Sequence, residues 1–116
     1  MGASKAAYYQ SQRGNPKVKG LVLCAPPDLS QAFLAEKPAF RTTLSAAAEE
    51  VQEGRAEEIL VTRLPLRGFV SARTFLNKYG PNEIANLLNY VDAITCPVLL
   101  VCGTLDHLVQ YAEVIR

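Results

Sequence analysis

The feature that narrows the fold most is an unbroken apolar run, Val98-Leu99-Leu100-Val101-Cys102, with Cys96-Pro97 before it and Gly103 after it. Proline lacks a backbone N–H and fits the first residue of a strand. A strand with one wet face alternates apolar and polar residues. A run without alternation suits a strand of a parallel sheet covered on both faces. A second run, Val18-Lys19-Gly20-Leu21-Val22-Leu23-Cys24-Ala25, ends at Pro26-Pro27. Each run is followed by an aspartate, Asp28 and Asp106. In open α/β sheets ligands and catalytic groups gather beyond the carboxyl ends of the strands. The two runs are therefore expected to be neighbouring parallel strands, joined by a right-handed crossover.

The rest of the chain reads as helix. Gly2–Gln12 places Ala3, Ala6, Ala7 and Gln10 along one face, small enough to lie close on a sheet, and Arg13-Gly14-Asn15-Pro16 stops it. Leu44, Ala47, Ala48 and Val51 are spaced i, i+3, i+4, i+7, with Glu49, Glu50 and Glu53 opposite and Gly54 as the stop. Ile59-Leu60-Val61 reads as a short extended piece, and Leu64-Pro65-Leu66 with Gly68 as a turn. Ser71 caps a helix carrying Ala72, Phe75, Leu76 and Tyr79, which Gly80-Pro81 ends. Asn82 is expected to cap another, with Ile84, Leu87, Leu88 and Val91 inward. The excursion from Leu29 to Asp92 is far longer than the dozen or so residues a parallel crossover needs, which points to an inserted helical region.

The bulk properties exclude several classes. At 116 residues the chain is one domain at most, and 49% hydrophobic with 20% charged residues describes a globular chain. A net charge of +1 gives no footprint for nucleic acid or an anionic membrane. No apolar stretch approaches the roughly 18 residues of a membrane helix. The start, MGASKAAYY, has no apolar core of a signal peptide and fails the myristoylation pattern at Ala6. Three cysteines are too few for a disulfide framework and read as reduced thiols, Cys24 and Cys102 as small buried hydrophobes. A cytoplasmic location is the expectation, with no cofactor. One histidine, and no Asp, Glu or Cys set at ligand spacing, gives no metal site.

The order helix, buried strand, helical insertion, helix, buried strand and G-x-x-D loop (Gly103-Thr104-Leu105-Asp106) resembles the carboxyl side of an α/β-hydrolase domain. The resemblance covers nearly the whole chain. The fold class it implies is α/β, a fragment of the hydrolase parallel sheet with two core strands and an inserted helical lid. Residues 1–28 would form helix and core strand, residues 29–91 the lid region, and residues 92–116 the core strand, acid loop and start of the next helix. Asp106 would be the triad acid, which accepts from imidazole Nδ1–H and fixes its tautomer. Asp28 is the rival, since some hydrolases of this fold carry the acid after the preceding strand; its plainer reading is a turn residue. Gly2-Ala3-Ser4-Lys5-Ala6-Ala7-Tyr8-Tyr9 is similar to the helix after the nucleophile elbow G-x-S-x-G. With Gly2 as its last glycine, the nucleophile falls one position before Met1, and the catalytic histidine falls on a loop after the next helix.

No residue in hand replaces the missing ones. Ser4 lacks the G-x-S-x-G context and reads as a helix-surface serine. His107 adjoins Asp106, and adjacent residues on an extended loop point apart, so it reads as a rim residue. Neither Cys24 nor Cys102 has a visible base. Arg55, Arg63, Arg67 and Arg73 read as a solvated face, or as contacts for an anionic substrate. The leading expectation is thus a partial serine hydrolase, esterase- or lipase-like, whose full-length form cleaves a carboxylic ester or related acyl bond by a Ser-His-Asp mechanism, the chain as written being inactive. Its expected partners are a small-molecule ester or acyl substrate for the full-length form, no nucleic acid and no membrane, with self-association through exposed sheet edges. The alternative is a non-catalytic α/β binding module acting through a partner chain.

Overall fold

A computed structural model describes residues 2–105. The chain is mixed α/β and divides into two compact units, one built from Met1–Asp28 with Asn86–Arg116 and the other from Leu29–Ala85.

The first unit holds α1 (Gly2–Arg13), β1 (Leu21–Cys24) and β4 (Val98–Val101). Gly14, at φ 52°, ends α1 in the left-handed conformation, its N–H donating to the Gln10 carbonyl at 2.8 Å. Asn15 then folds the chain back, accepting from the Val18 N–H through its carbonyl and from the Lys17 N–H through its side chain. β1 and β4 are parallel and adjacent, in the register Leu21↔Val98, Val22↔Leu99, Leu23↔Leu100 and Cys24↔Val101. This is the pairing expected of two unalternating runs. The first strand is shorter than its apolar run, because regular pairing begins only at Leu21, whose N–H donates to the Pro97 carbonyl at 2.9 Å.

The core of this unit is Leu23, Ala7, Leu87 and Tyr90, with Leu21, Leu100, Leu88 and Ile94 packed around it. α1 buries Ser4, Ala7 and Gln10, whereas Ala6 is exposed; the stripe is rotated from the one expected, around the close contact at Ala7. Among the described residues only one face of the two-stranded sheet is covered. Val22 and Leu99, partners in the ladder, remain 63% and 59% exposed on the other, and Val101 remains 47% exposed.

The second unit packs α2 (Gln31–Leu34), α3 (Pro38–Gln52) and α4 (Ala72–Tyr79) with a hairpin of β2 (Ile59–Thr62) and β3 (Gly68–Ser71). Ser30 and Ser71 cap α2 and α4 by accepting from the N–H groups of Phe33 and Thr74. Pro38 opens α3, where its missing N–H costs nothing. α3 closes in a Schellman arrangement: Gly54, at φ 79°, donates to the Val51 carbonyl and Arg55 N–H donates to the Glu50 carbonyl at 2.7 Å. The Arg55 guanidinium turns back onto Glu50 with two hydrogen bonds of 2.6 and 3.0 Å and also pairs with Glu53. The hydrogen bonds from Arg55 hold the Glu50 carboxyl below its usual range.

The centre of this unit is aromatic. The Phe75 ring lies 5.8 Å from Phe40 and 5.1 Å from Tyr79, with Leu29, Leu34, Ala47 and Ala72 around them. Burial pushes the Tyr79 phenol up from its ordinary value. Ser71 and Gly80 bound α4 as the residues suggest. The helix expected after Asn82 does not form. Glu83 takes φ 45°, which no helix accommodates, Ile84 is exposed, and Asn86 instead caps the first of two 3-10 turns, Leu87–Asn89 and Val91–Ala93.

Candidate functional site

Because β1 and β4 run side by side in the same direction, their carboxyl ends share one edge of the sheet. After Cys24 the chain turns at once: Ala25 sits at φ 45°, a left-handed conformation uncommon for a residue with a Cβ, and its N–H donates to the Val101 carbonyl at 2.7 Å. Pro26 and Pro27 then lead to Asp28, which is buried. On the neighbouring strand, Cys102, Gly103, Thr104 and Leu105 leave the same edge. Asp106 and His107 lie outside the described residues.

Other expectations for site residues are corrected. Ser4 is not a surface serine. It lies on the buried face of α1, where the Tyr90 hydroxyl donates to its carbonyl at 3.5 Å and its own Oγ has no hydrogen-bond partner among the described residues. Cys24 is exposed, because it falls on the uncovered face of the sheet, and Cys96 and Cys102 are half-buried; all three are free thiols. Among the described residues no group of three or more His, Cys, Asp or Glu could hold a metal ion, and no helix is long and apolar enough to cross a membrane.

The four arginines separate into two kinds. Arg55 is held by Glu50 and Glu53, and Arg73 by Glu57 at 2.9 Å. Arg63 and Arg67 form no ion pair among the described residues and border a groove of about 360 Å³ on the β2–β3 hairpin, lined also by Val61, Thr62, Gly68 and Phe69. The two arginines are among the four that read as a solvated face or as contacts for an anionic substrate, but their spacing alone does not show the groove they share. Its signal lies in two alternating stretches around Pro65, Ile59-x-Val61-x-Arg63 and Arg67-x-Phe69-x-Ser71.

No family model matches the chain, and neither the curated proteins nor the solved structures contain a match to it.

Proposed function

We propose that this chain forms the carboxyl-side portion of an α/β-hydrolase domain, in a cytoplasmic protein that hydrolyses a carboxylic ester or related acyl bond. One observation carries the reading. Strands separated by more than seventy positions pair directly and in parallel, and most of the chain between them gathers into a compact unit of its own. That is how a lid inserted in a crossover is built. In this reading the lid expected over residues 29–91 corresponds to the compact unit Leu29–Ala85, and the shared carboxyl edge of β1 and β4 faces the chemistry. Asp106 orients the histidine, which takes the serine proton during attack; the serine and histidine come from sequence on either side. The three free thiols agree with a reducing compartment.

The test begins with the coding DNA flanking the chain. An in-frame G-x-S immediately upstream of Met1, completing G-x-S-x-G with Met1 and Gly2, and a histidine downstream are expected. The protein made from that frame is expected to react with a fluorophosphonate at the upstream serine. Asp106→Asn is expected to lower kcat by about four orders of magnitude, as loss of a triad carboxylate does, while Asp28→Asn leaves it within about tenfold. Flanks without serine or histidine sink the proposal, and the converse result for the two aspartates moves the acid to Asp28. The uncovered outer face of the sheet also favours the second reading, a non-catalytic module closed by a partner chain; that reading gains if the flanks lack catalytic residues.

A further inference from the structure

We infer that the β2–β3 hairpin binds an anionic amphiphile, a medium-chain alkyl carboxylate or its sulfate analogue, with the anion between Arg63 and Arg67 and the alkyl chain over Val61 and Phe69. The inference stands on the hairpin alone and does not depend on the hydrolase reading.

The hairpin register pairs Val61 with Phe69 and Thr62 with Gly68. Successive residues face opposite sides of the ribbon. Thr62 turns inward and is buried, its hydroxyl donating to the Leu64 carbonyl at 2.7 Å. Leu60 and Val70 pack against the core of the unit. Val61 and Phe69 therefore turn outward together, 69% and 80% exposed. Arg63 and Arg67 flank the last ladder pair, Thr62↔Gly68, and line one groove with Val61 and Phe69.

Like charges directly opposite on a ribbon are destabilising. Neither arginine is relieved by an ion pair among the described residues, where Glu50 and Glu53 hold Arg55 and Glu57 holds Arg73. An anion seated between the two guanidinium groups relieves the repulsion and accepts from two planar donor forks. The spacing then selects the rest of the ligand. Val61 and Phe69 lie two residues away from the arginines, about 7 Å along the ribbon, so whatever places an anion there extends apolar atoms over an apolar pair. Inorganic phosphate or acetate leaves that pair wet, and a neutral alcohol leaves the arginines opposed. A second copy of the hairpin laid face to face would bring four arginines together, which disfavours self-association through this surface.

The experiment uses the full chain and monomeric octanoate, below the concentration at which it forms micelles, with 1-octanol, acetate and octyl sulfate as comparisons. Calorimetry is read together with the amide shifts of Val61 and Phe69. Octanoate and octyl sulfate are expected to bind with one-to-one stoichiometry, and 1-octanol and acetate about tenfold or more weakly. Arg63→Gln with Arg67→Gln is expected to cost octanoate about tenfold, the sum of two exposed charge-assisted contacts, and the lysine pair less, since the charge survives without the fork. Because both arginines are exposed, circular dichroism is expected to be unchanged in both double variants. Val61→Ser with Phe69→Ser is expected to weaken octanoate and leave acetate unaffected. Equal affinity for 1-octanol and octanoate would overturn the assignment, as would octanoate binding that survives the glutamine pair. So would binding only to phosphatidylserine vesicles or only to an acidic peptide, which would assign the face to a membrane or to a protein.

Discussion

Replacing Phe75 by alanine tests whether the aromatic centre holds the Leu29–Ala85 unit together. Phe75 is fully buried, with ring neighbours at 5.8 Å (Phe40) and 5.1 Å (Tyr79). Burying a phenylalanine contributes about 1.5–3 kcal/mol, and each well-placed ring pair adds about 0.5–1.5 kcal/mol. Truncation should therefore cost about 3–5 kcal/mol, the usual range for Phe→Ala in a core. At about 0.05–0.15 kcal/mol per residue, a unit of this length is stable by about 3–9 kcal/mol. Phe75→Ala should thus remove at least about a third of that stability and unfold the unit if it lies at the low end of the range, whereas Phe75→Leu, which keeps most of the volume, should cost less than about 1.5 kcal/mol. Urea titration gives the free energy, and amide hydrogen exchange in α3 and α4 reports where it is lost. If Phe75→Ala leaves those amides protected and shifts stability by less than about 1 kcal/mol, the packing argument fails.

Ser4→Ala should raise stability by up to about 1 kcal/mol, since it removes a buried hydroxyl with no partner among the described residues and improves helix propensity; a large loss in thermal denaturation would refute this. Gly80→Ala should cost about 1–3 kcal/mol, because an added Cβ would stand 2.3 Å from the Leu76 carbonyl oxygen and force the end of α4 to move; unchanged urea midpoints would count against the close approach. The raised Tyr79 phenol makes an alkaline prediction. The unfolded chain loses this proton near about pH 10 while the folded chain keeps it. The stabilisation is therefore complete below that pH and is lost as pH rises through the folded value. Urea midpoints of wild type should fall with pH in that range more steeply than those of Tyr79→Phe, and parallel curves would refute the shift.

What could be read in the residues follows from where local and tertiary forces agree. β1 and β4 were legible because an apolar run without alternation has few homes besides a parallel sheet, and the pairing found matches it. α4 was legible because Ser71, the apolar spacing and Gly80 all point the same way. Past Asn82 the spacing of Ile84, Leu87, Leu88 and Val91 is equally helical, yet Glu83 leaves the helical region and Asn86 competes as the cap. Short polar side chains offer the backbone a local alternative that periodicity does not weigh. The β2–β3 hairpin was half legible: Ile59-Leu60-Val61 reads as extended, but its partner Gly68–Ser71 is masked by Ser71, which serves strand and cap at once. Of the candidate site, Asp28 stands where its place after a strand suggests, while Cys24 is exposed because the expectation of burial assumed a sheet covered on both faces.

That uncovered face bears on both functional readings. α1 and the 3-10 turns pack with Leu23 and Leu100, and the ladder partners Val22 and Leu99 look outward on the opposite side. Parallel sheets occur almost only with both faces covered, and parallel pairing is slightly the weaker kind. Among the described residues each strand also keeps one edge unpaired, a row of N–H and C=O groups ready for another strand. Among the described residues the sheet therefore has two unmet needs, a layer for the face and strands for the edges. A partner docking face to face would bury Val22, Leu99 and Val101 but leave both edges open. A strand added by a partner would close one edge and leave the face bare. Further parallel strands, each with its own crossover helix, answer both needs together, because the helices that connect such strands are the layers that cover them. The hydrolase proposal supplies that combination, and the binding-module reading has to assemble it from a partner that brings both strand and helix.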